Sequence, residues 1–240
     1  MKRRLRCVVL GTVALALLFA AATASAAAAP SGSEAAAAQR LAATFAPITM
    51  LREQQDPPCD TGAEQYQPTS VDTVLGNPSV TLQRFVPDQG LEDLKRAPTA
   101  ADIAGLDENH YLNLRGEALG DTCVYAKDFA RLVRDGKAPA ITYSHLAREA
   151  GHAGFVLQYW FFWYFNQFND LHEGDWEGMQ ISFEADGPAA ALAAAEEPSE
   201  IILFQHAGGE RASWADVCWR AGAGSTTPPA APASTSPSAT

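Results

Sequence analysis

The sequence predicts a mainly β protein, an antiparallel β-sandwich with short helical insertions. Seven aromatic residues follow one another over 159–165, inside the apolar stretch "FVLQYWFFWYF". This stretch is too short to span a bilayer and carries apolar side chains on both faces, as a central strand between two layers does. Further segments rich in strand-forming residues occur without regular β-α alternation and without an internal repeat, which favours stacked antiparallel sheets.

The ends of the chain stand apart from this pattern. Residues 1–26 have a basic start, an apolar run and an Ala24-Ser25-Ala26 exit, the layout of a secretory signal peptide. Residues 27–33 read as a flexible leader, and 218–240, rich in Ala, Ser, Thr and Pro, as a disordered tail. The folded domain is expected over 34–217.

Within it, "EAAAAQRLAATFA" (34–46) has high helix propensity. "PITMLRE" (47–53) reads as a short strand, and "DPPCDTGAEQYQPTS" as a loop pinned by its cysteine. "SVTLQRFV" (79–86) is strand-like, and "APTAADIAGL" opens a helix with Thr99 placed to cap it. "CVYAKDFARLVRDGK" spaces Val124, Phe129, Leu132 and Val133 as a helical face closed by Gly136. "APAITYSHLA" (138–147) is again strand-like. "DWEGMQISFE" (175–184) is the expected antiparallel partner of the aromatic strand, and "SEIILFQHA" (199–207) a third core strand.

The formal net charge is −11, and signal cleavage would remove four basic residues and no acid, leaving about −15. Such acidity argues against nucleic acid and against a basic patch for anionic lipid, and is compatible with binding cations. No stable membrane span is expected after cleavage. Cys59, Cys123 and Cys218 would remain in an oxidising compartment. A Cys59–Cys123 bridge is expected, because both lie in turn-like contexts ahead of the dense core.

The aromatic strand runs into "HEGDWE". With Asp175 onward as a strand, Asp175 and Glu177 share a face with Met179, Ile181 and Phe183, while Trp176 and Gly178 point to the other. Two carboxylates thus begin the face that becomes the core. Their repulsion calls for a proton, a base or a cation. Gly174 permits a turn that brings His172 over them. One imidazole with several carboxylates suits Ca²⁺ or Mg²⁺, with Mn²⁺ or Zn²⁺ as alternatives. The plainer alternative is a solvated acidic turn, with the aromatic run as core alone. His110, His145 and His152 have no acidic partner identifiable from sequence, and His206 in "QHAGGE" reads equally as an ordinary loop histidine.

"LQYWFFWYFNQFNDLHEGDWEGMQISF" followed by "FQHAGGERASW" resembles bacterial members of the vacuolar protein sorting-associated protein 62 family over 157–214. More distantly, the layout is similar to secreted necrosis- and ethylene-inducing peptide-like proteins. In these a β-sandwich holds a divalent cation on a His-Asp-Glu heptapeptide plus an upstream Asp, and engages sphingolipid head groups. By position, the resemblance implies His172, Asp175 and Glu177 as ligands. The upstream acid has no matching residue, and Asp170 is the nearby candidate. Glu173 and Gly174 replace a basic residue and a histidine. Related chains continue into further strands where this one turns into "VCWRAGAG", which implies a truncated or frameshifted product and a sandwich incomplete at its C-terminal end.

The function expected from sequence is therefore a secreted domain with a divalent-cation site that binds a polar ligand, such as a glycan or lipid head group. Trp176, His206 and Glu173 are the candidate ligand contacts. Two alternatives are a metal-assisted extracellular hydrolase and a purely structural cation staple. The sequence contains no nucleophile elbow, no His-Glu-x-x-His and no phosphate-cradling glycine loop, so a non-catalytic role is preferred.

Overall fold

A computed structural model describes residues 32–51, 65–168, 170–205 and 208–217. In chain order these form α1 (Gly32–Thr44), β1 (Thr81–Val86), β2 (Gly90–Arg96), α2 (Ala100–Ile103), β3 (His110–Asn113) and α3 (Cys123–Arg134). They continue as β4 (Tyr143–Ala147), β5 (Phe155–Asn166), β6 (His172–Phe183), α4 (Pro188–Ala194), β7 (Glu200–Gln205) and β8 (Gly208–Ser213). The strands make two antiparallel sheets, a small one ordered β2-β1-β3 and a large one ordered β4-β5-β6-β7-β8. This is the mainly β, sandwich-like architecture that the strand pattern predicts. The expected signal peptide, leader start and C-terminal tail lie outside the described residues, among which no helix is long and apolar enough to cross a membrane.

β5 is the centre, and it buries side chains on both faces. Phe155, Leu157 and Tyr159 join Met179, Ile181 and Phe183 of β6 in one core, closed by Leu41 and Phe45 from the α1 segment and Ala191 of α4. Phe155 and Phe183 are register partners whose rings stack at 4.9 Å. The hydroxyl of Tyr159 donates to the Ala42 carbonyl at 2.8 Å, so α1 is held by a directional bond as well as by packing. The second core gathers Phe162, Tyr164 and Phe165 of β5 against Tyr125, Phe129 and Leu132 of α3, with Tyr66, Val80 and Leu114. At the end of β5 three successive residues, Tyr164, Phe165 and Asn166, are buried, where an ordinary half-buried strand would alternate. Each large apolar side chain fully buried here contributes about 1.5–3 kcal/mol.

The helices follow their sequence cues with corrections. Thr99 precedes α2 as expected, and Asp102 accepts from both its backbone N–H (2.7 Å) and its hydroxyl (2.6 Å). The bond from Lys95 to Asp102, foremost, holds that carboxyl well below its usual range. In α3 the buried stripe is Tyr125, Asp128, Phe129 and Leu132, a spacing of i, i+3, i+4, i+7. Val124 and Val133, assigned to the face from sequence, fall about 90° to either side of its centre, and Val133 is 42 % exposed. Cys123 is disulfide-bonded, while Cys59, its expected partner, lies outside the described residues.

The segment at 47–51 is not a strand: Ile48 and Met50 are exposed and no neighbouring strand pairs with them. β-forming residues without a partner ladder have nothing to hold them extended in a sheet. Conversely β2, β3, β8 and α4 have no counterpart in the sequence reading. β2 and β8 are exposed edge strands: β8 has only small and charged residues, and β2 spaces its two leucines three apart, so neither carries a period-two hydrophobic alternation to read.

The turn into β5 depends on Gly154, whose φ is +80° and where a Cβ would lie 2.0 Å from the Phe183 carbonyl oxygen. Gly151, three residues earlier, has φ +84° with open space around it. Gly151→Ala should therefore cost about 1–2 kcal/mol, the left-handed penalty alone. Gly154→Ala should cost at least about 2 kcal/mol more, because the backbone of β6 must move as well. Urea denaturation of the two variants measures the difference.

Candidate functional site

The turn joining β5 to β6 is organised by Asn166. Its side-chain oxygen accepts from Phe168 N–H at 3.1 Å, and its amide donates to the Asp170 carbonyl at 2.8 Å and to His172 Nε2 at 3.1 Å. Gln167 is fully buried and accepts from the Tyr66 hydroxyl at 3.2 Å. This polar latch lets the ladder run to its last pair, Asn166 opposite His172. "HEG" is thus already strand, not the turn that the sequence suggested.

The predicted alternation is present. Asp175 and Glu177 lie opposite Trp163 and Phe161, on the side that continues into Met179, Ile181 and Phe183. Gly174 has φ +68°, and His172 Nδ1 donates to its carbonyl at 2.9 Å. Nε2 of the same ring comes to 4.0 Å from Asp175 Oδ1. A left-handed glycine within the strand, rather than the expected turn, accompanies this approach of imidazole and carboxylate. Glu177 lies opposite Gln205 of β7, and Asp170 offers its backbone carbonyl to Asn166. Among the described residues no group of three His, Cys, Asp or Glu side chains is placed to hold a metal ion. The imidazole donates through Nδ1 and accepts through Nε2, so metal ligation through Nε2 requires release of Asn166. As arranged, the described donor set does not close around a cation. His206 lies outside the described residues.

Glu173 has a role that sequence did not reveal. Its carboxylate accepts from the Leu114 backbone N–H at 2.8 Å and from the Tyr125 hydroxyl. Tyr125 in turn stacks at 4.0 Å on Phe165, the cross-strand partner of Glu173. One acid thereby ties β6 to α3 and to the chain leaving β3. Burial pushes its carboxyl above the ordinary value, against the lowering effect of these two bonds, and the nearby Glu117 charge adds to the rise. Burial first, and the Glu173 carboxylate second, push the Tyr125 hydroxyl up as well. Tyr125 was legible only as a position four before Phe129 on the helix stripe.

Beside Glu173 a cleft of about 800 Å³ is lined by both sheets. The small sheet supplies Phe85, Leu91 and Tyr111; the large one supplies Phe162 and Trp176. Phe85 and Leu91 are register partners, and Tyr111 lies opposite Gln83 on the adjoining strand. Trp176 is 43 % exposed, yet it is held by Phe162 at 5.1 Å, Tyr143 at 5.8 Å and Trp160 at 6.2 Å. The aromatic strip continues from Trp160 to Phe204 at 4.9 Å. Gly178 makes room for it, since a Cβ there would meet the Phe204 ring at 2.6 Å. Of the predicted ligand contacts, Trp176 and Glu173 both line this cleft, together with His172.

Because its folded pKa is raised, Glu173 holds a proton in the folded chain over an interval where the unfolded chain has lost it. That interval starts near the ordinary value of 4.5 and ends at the raised one, and stability falls across it as pH rises. Glu173→Gln should remove this pH dependence. It should also cost about 1–3 kcal/mol near pH 4.5, because an amide presents only one acceptor oxygen to two donors. Chemical denaturation of both proteins from pH 4 to 8 (roughly the range over which a buried carboxyl titrates) tests this. In comparisons with known proteins, no family model, no curated protein and no solved structure matches the chain.

Proposed function

We propose that this chain is an exported, non-catalytic binding domain that seats a polar organic ligand, a glycan or lipid head group, in the cleft between its two sheets. The observation that carries this is Trp176: a large aromatic ring half open to solvent, fixed by three other rings, at a cleft of ligand size. A rigid amphipathic ring costs little entropy to order on binding and offers a flat stacking face. The polar side chains Gln83, Asn113 and His110 also line the cleft and supply directional contacts. The more distant similarity of the layout to secreted necrosis- and ethylene-inducing peptide-like proteins, which engage sphingolipid head groups, is in keeping with this reading.

A titration of tryptophan fluorescence with soluble glycans and lipid head groups tests it. Trp176→Ala should weaken the responding ligand by about 2 kcal/mol, some 30-fold, if the ring is a central contact. A ligand bound equally well by the variant would remove the cleft from consideration.

A second reading is favoured by the 4.0 Å approach of His172 to Asp175. A divalent cation, calcium or magnesium in the first place, would be held there after the Asn166 bond is released, with Glu177 and Asp170 as further oxygen donors. A melt after chelation, repeated with each cation at about a hundred times its dissociation constant, should then show about 2.7 kcal/mol of stabilisation. Asp175→Asn should abolish the shift. No shift with any cation in a folded sample excludes this reading and leaves the cleft reading intact.

A further inference from the structure

The cleft has a charge character that narrows its ligand. Among the described residues that line it, two are carboxylates, Glu117 and Glu173, and none is a lysine or arginine. The two acids are close enough for the Glu117 charge to act on Glu173. Glu117 is exposed, so its charge is available at the surface of the cleft. Around them are aromatic and aliphatic side chains that a water-soluble protein rarely leaves open: Phe85 is 45 %, Leu91 58 % and Tyr111 49 % exposed. An anionic ligand would meet no lysine or arginine among the described lining residues, only the imidazoles of His110 and His172, and a neutral apolar one would be seated beside two acids. A cation with an apolar surface satisfies both features, because aromatic faces attract positive charge and a methylated ammonium is weakly hydrated. The whole chain, at −11, attracts cations at longer range too.

We infer that the cleft binds an organic ammonium of the choline type, its charged head placed between the ring faces of Trp176 and Tyr111 and beside the exposed carboxylate of Glu117. This rests on the reading of the cleft as the ligand site, and it specifies the ligand's chemistry.

The test compares choline with dimethylbutanol, its uncharged carbon isostere, by calorimetry and tryptophan fluorescence on the wild-type chain. Choline should bind at least about tenfold more tightly, the scale of a desolvated cation–π contact. Rising salt should weaken choline and leave the isostere unchanged. Glu117→Gln alters an exposed residue outside both cores, and should reduce choline affinity about threefold without affecting the isostere. Tyr111→Ala should reduce it further. Two arms separate the sources of the head group. Choline-competed co-sedimentation with phosphatidylcholine vesicles points to a lipid, and choline binding without vesicle binding points to a free ammonium; either supports the inference. Equal binding of choline and isostere, both lost in Trp176→Ala, would overturn the cation inference while leaving the cleft as a binding site. Absence of Trp176-dependent binding of either compound, in a chain that melts cooperatively, would overturn the ammonium inference, and the titration with glycans and other head groups would then decide the cleft reading by itself.

Discussion

The structure depends on the antiparallel pairing of β5 with β6. Its register is continuous from Phe155 opposite Phe183 to Asn166 opposite His172, apart from the interruption at Gly174. Three helices pack on this ribbon. α1 and α4 cover one half of it and α3 the other half, so the two cores share a single backbone. A ribbon buried in this way leaves its register little freedom, since a slip by one residue would turn Met179, Ile181 and Phe183 out of their core. The polar latch at Asn166 and the close approach at Gly154 fix its two ends. Neither is a hydrophobic contact, and both act by making any other register sterically or electrostatically costly.

The same pairing builds the cleft. β6 carries Glu173 towards α3 and places Trp176 against Phe162, while β7 brings Phe204 into the strip that Trp160 and Trp176 begin. The glycines in this region serve close approach. Gly178 leaves room for the Phe204 ring, and Gly174 lies over Phe162, which a Cβ would meet at 3.3 Å. The cleft wall and the core are therefore one object. The rings that line the cleft are anchored by the rings that hold the sheet, which keeps Trp176 in place without burying it.

Glu173 shows how polar groups are handled at this junction. A carboxylate withdrawn from water is tolerated because a backbone N–H and a phenol supply the lost hydrogen bonds. The junction also contains a buried indole N–H, that of Trp163, without a hydrogen-bond partner among the described residues. The cleft end of the sheet is thus polar and imperfectly satisfied, whereas the opposite half, around Ile181 and Leu157, is apolar apart from groups such as the Tyr159 hydroxyl, which is bonded to the Ala42 carbonyl.

The sequence by itself determined the mainly β class, the long central strand and its partner, and the alternation that puts Asp175 and Glu177 on the face of the core. These are local, since a run of aromatics and a period of two depend only on neighbours along the chain. It also singled out Trp176 and Glu173, both of which line the cleft. Only the tertiary structure decided what those residues do. Glu173 turns inward because Tyr125 and Leu114, about fifty and sixty residues earlier in sequence, meet it there, and no spacing rule encodes such a meeting. The edge strands β2 and β8 exist because β1 and β7 offer them a ladder, and the cleft exists because two sheets distant in sequence come together around it. Side-chain periodicity is written in the chain; cross-strand partnership, and the space left between layers, are products of packing.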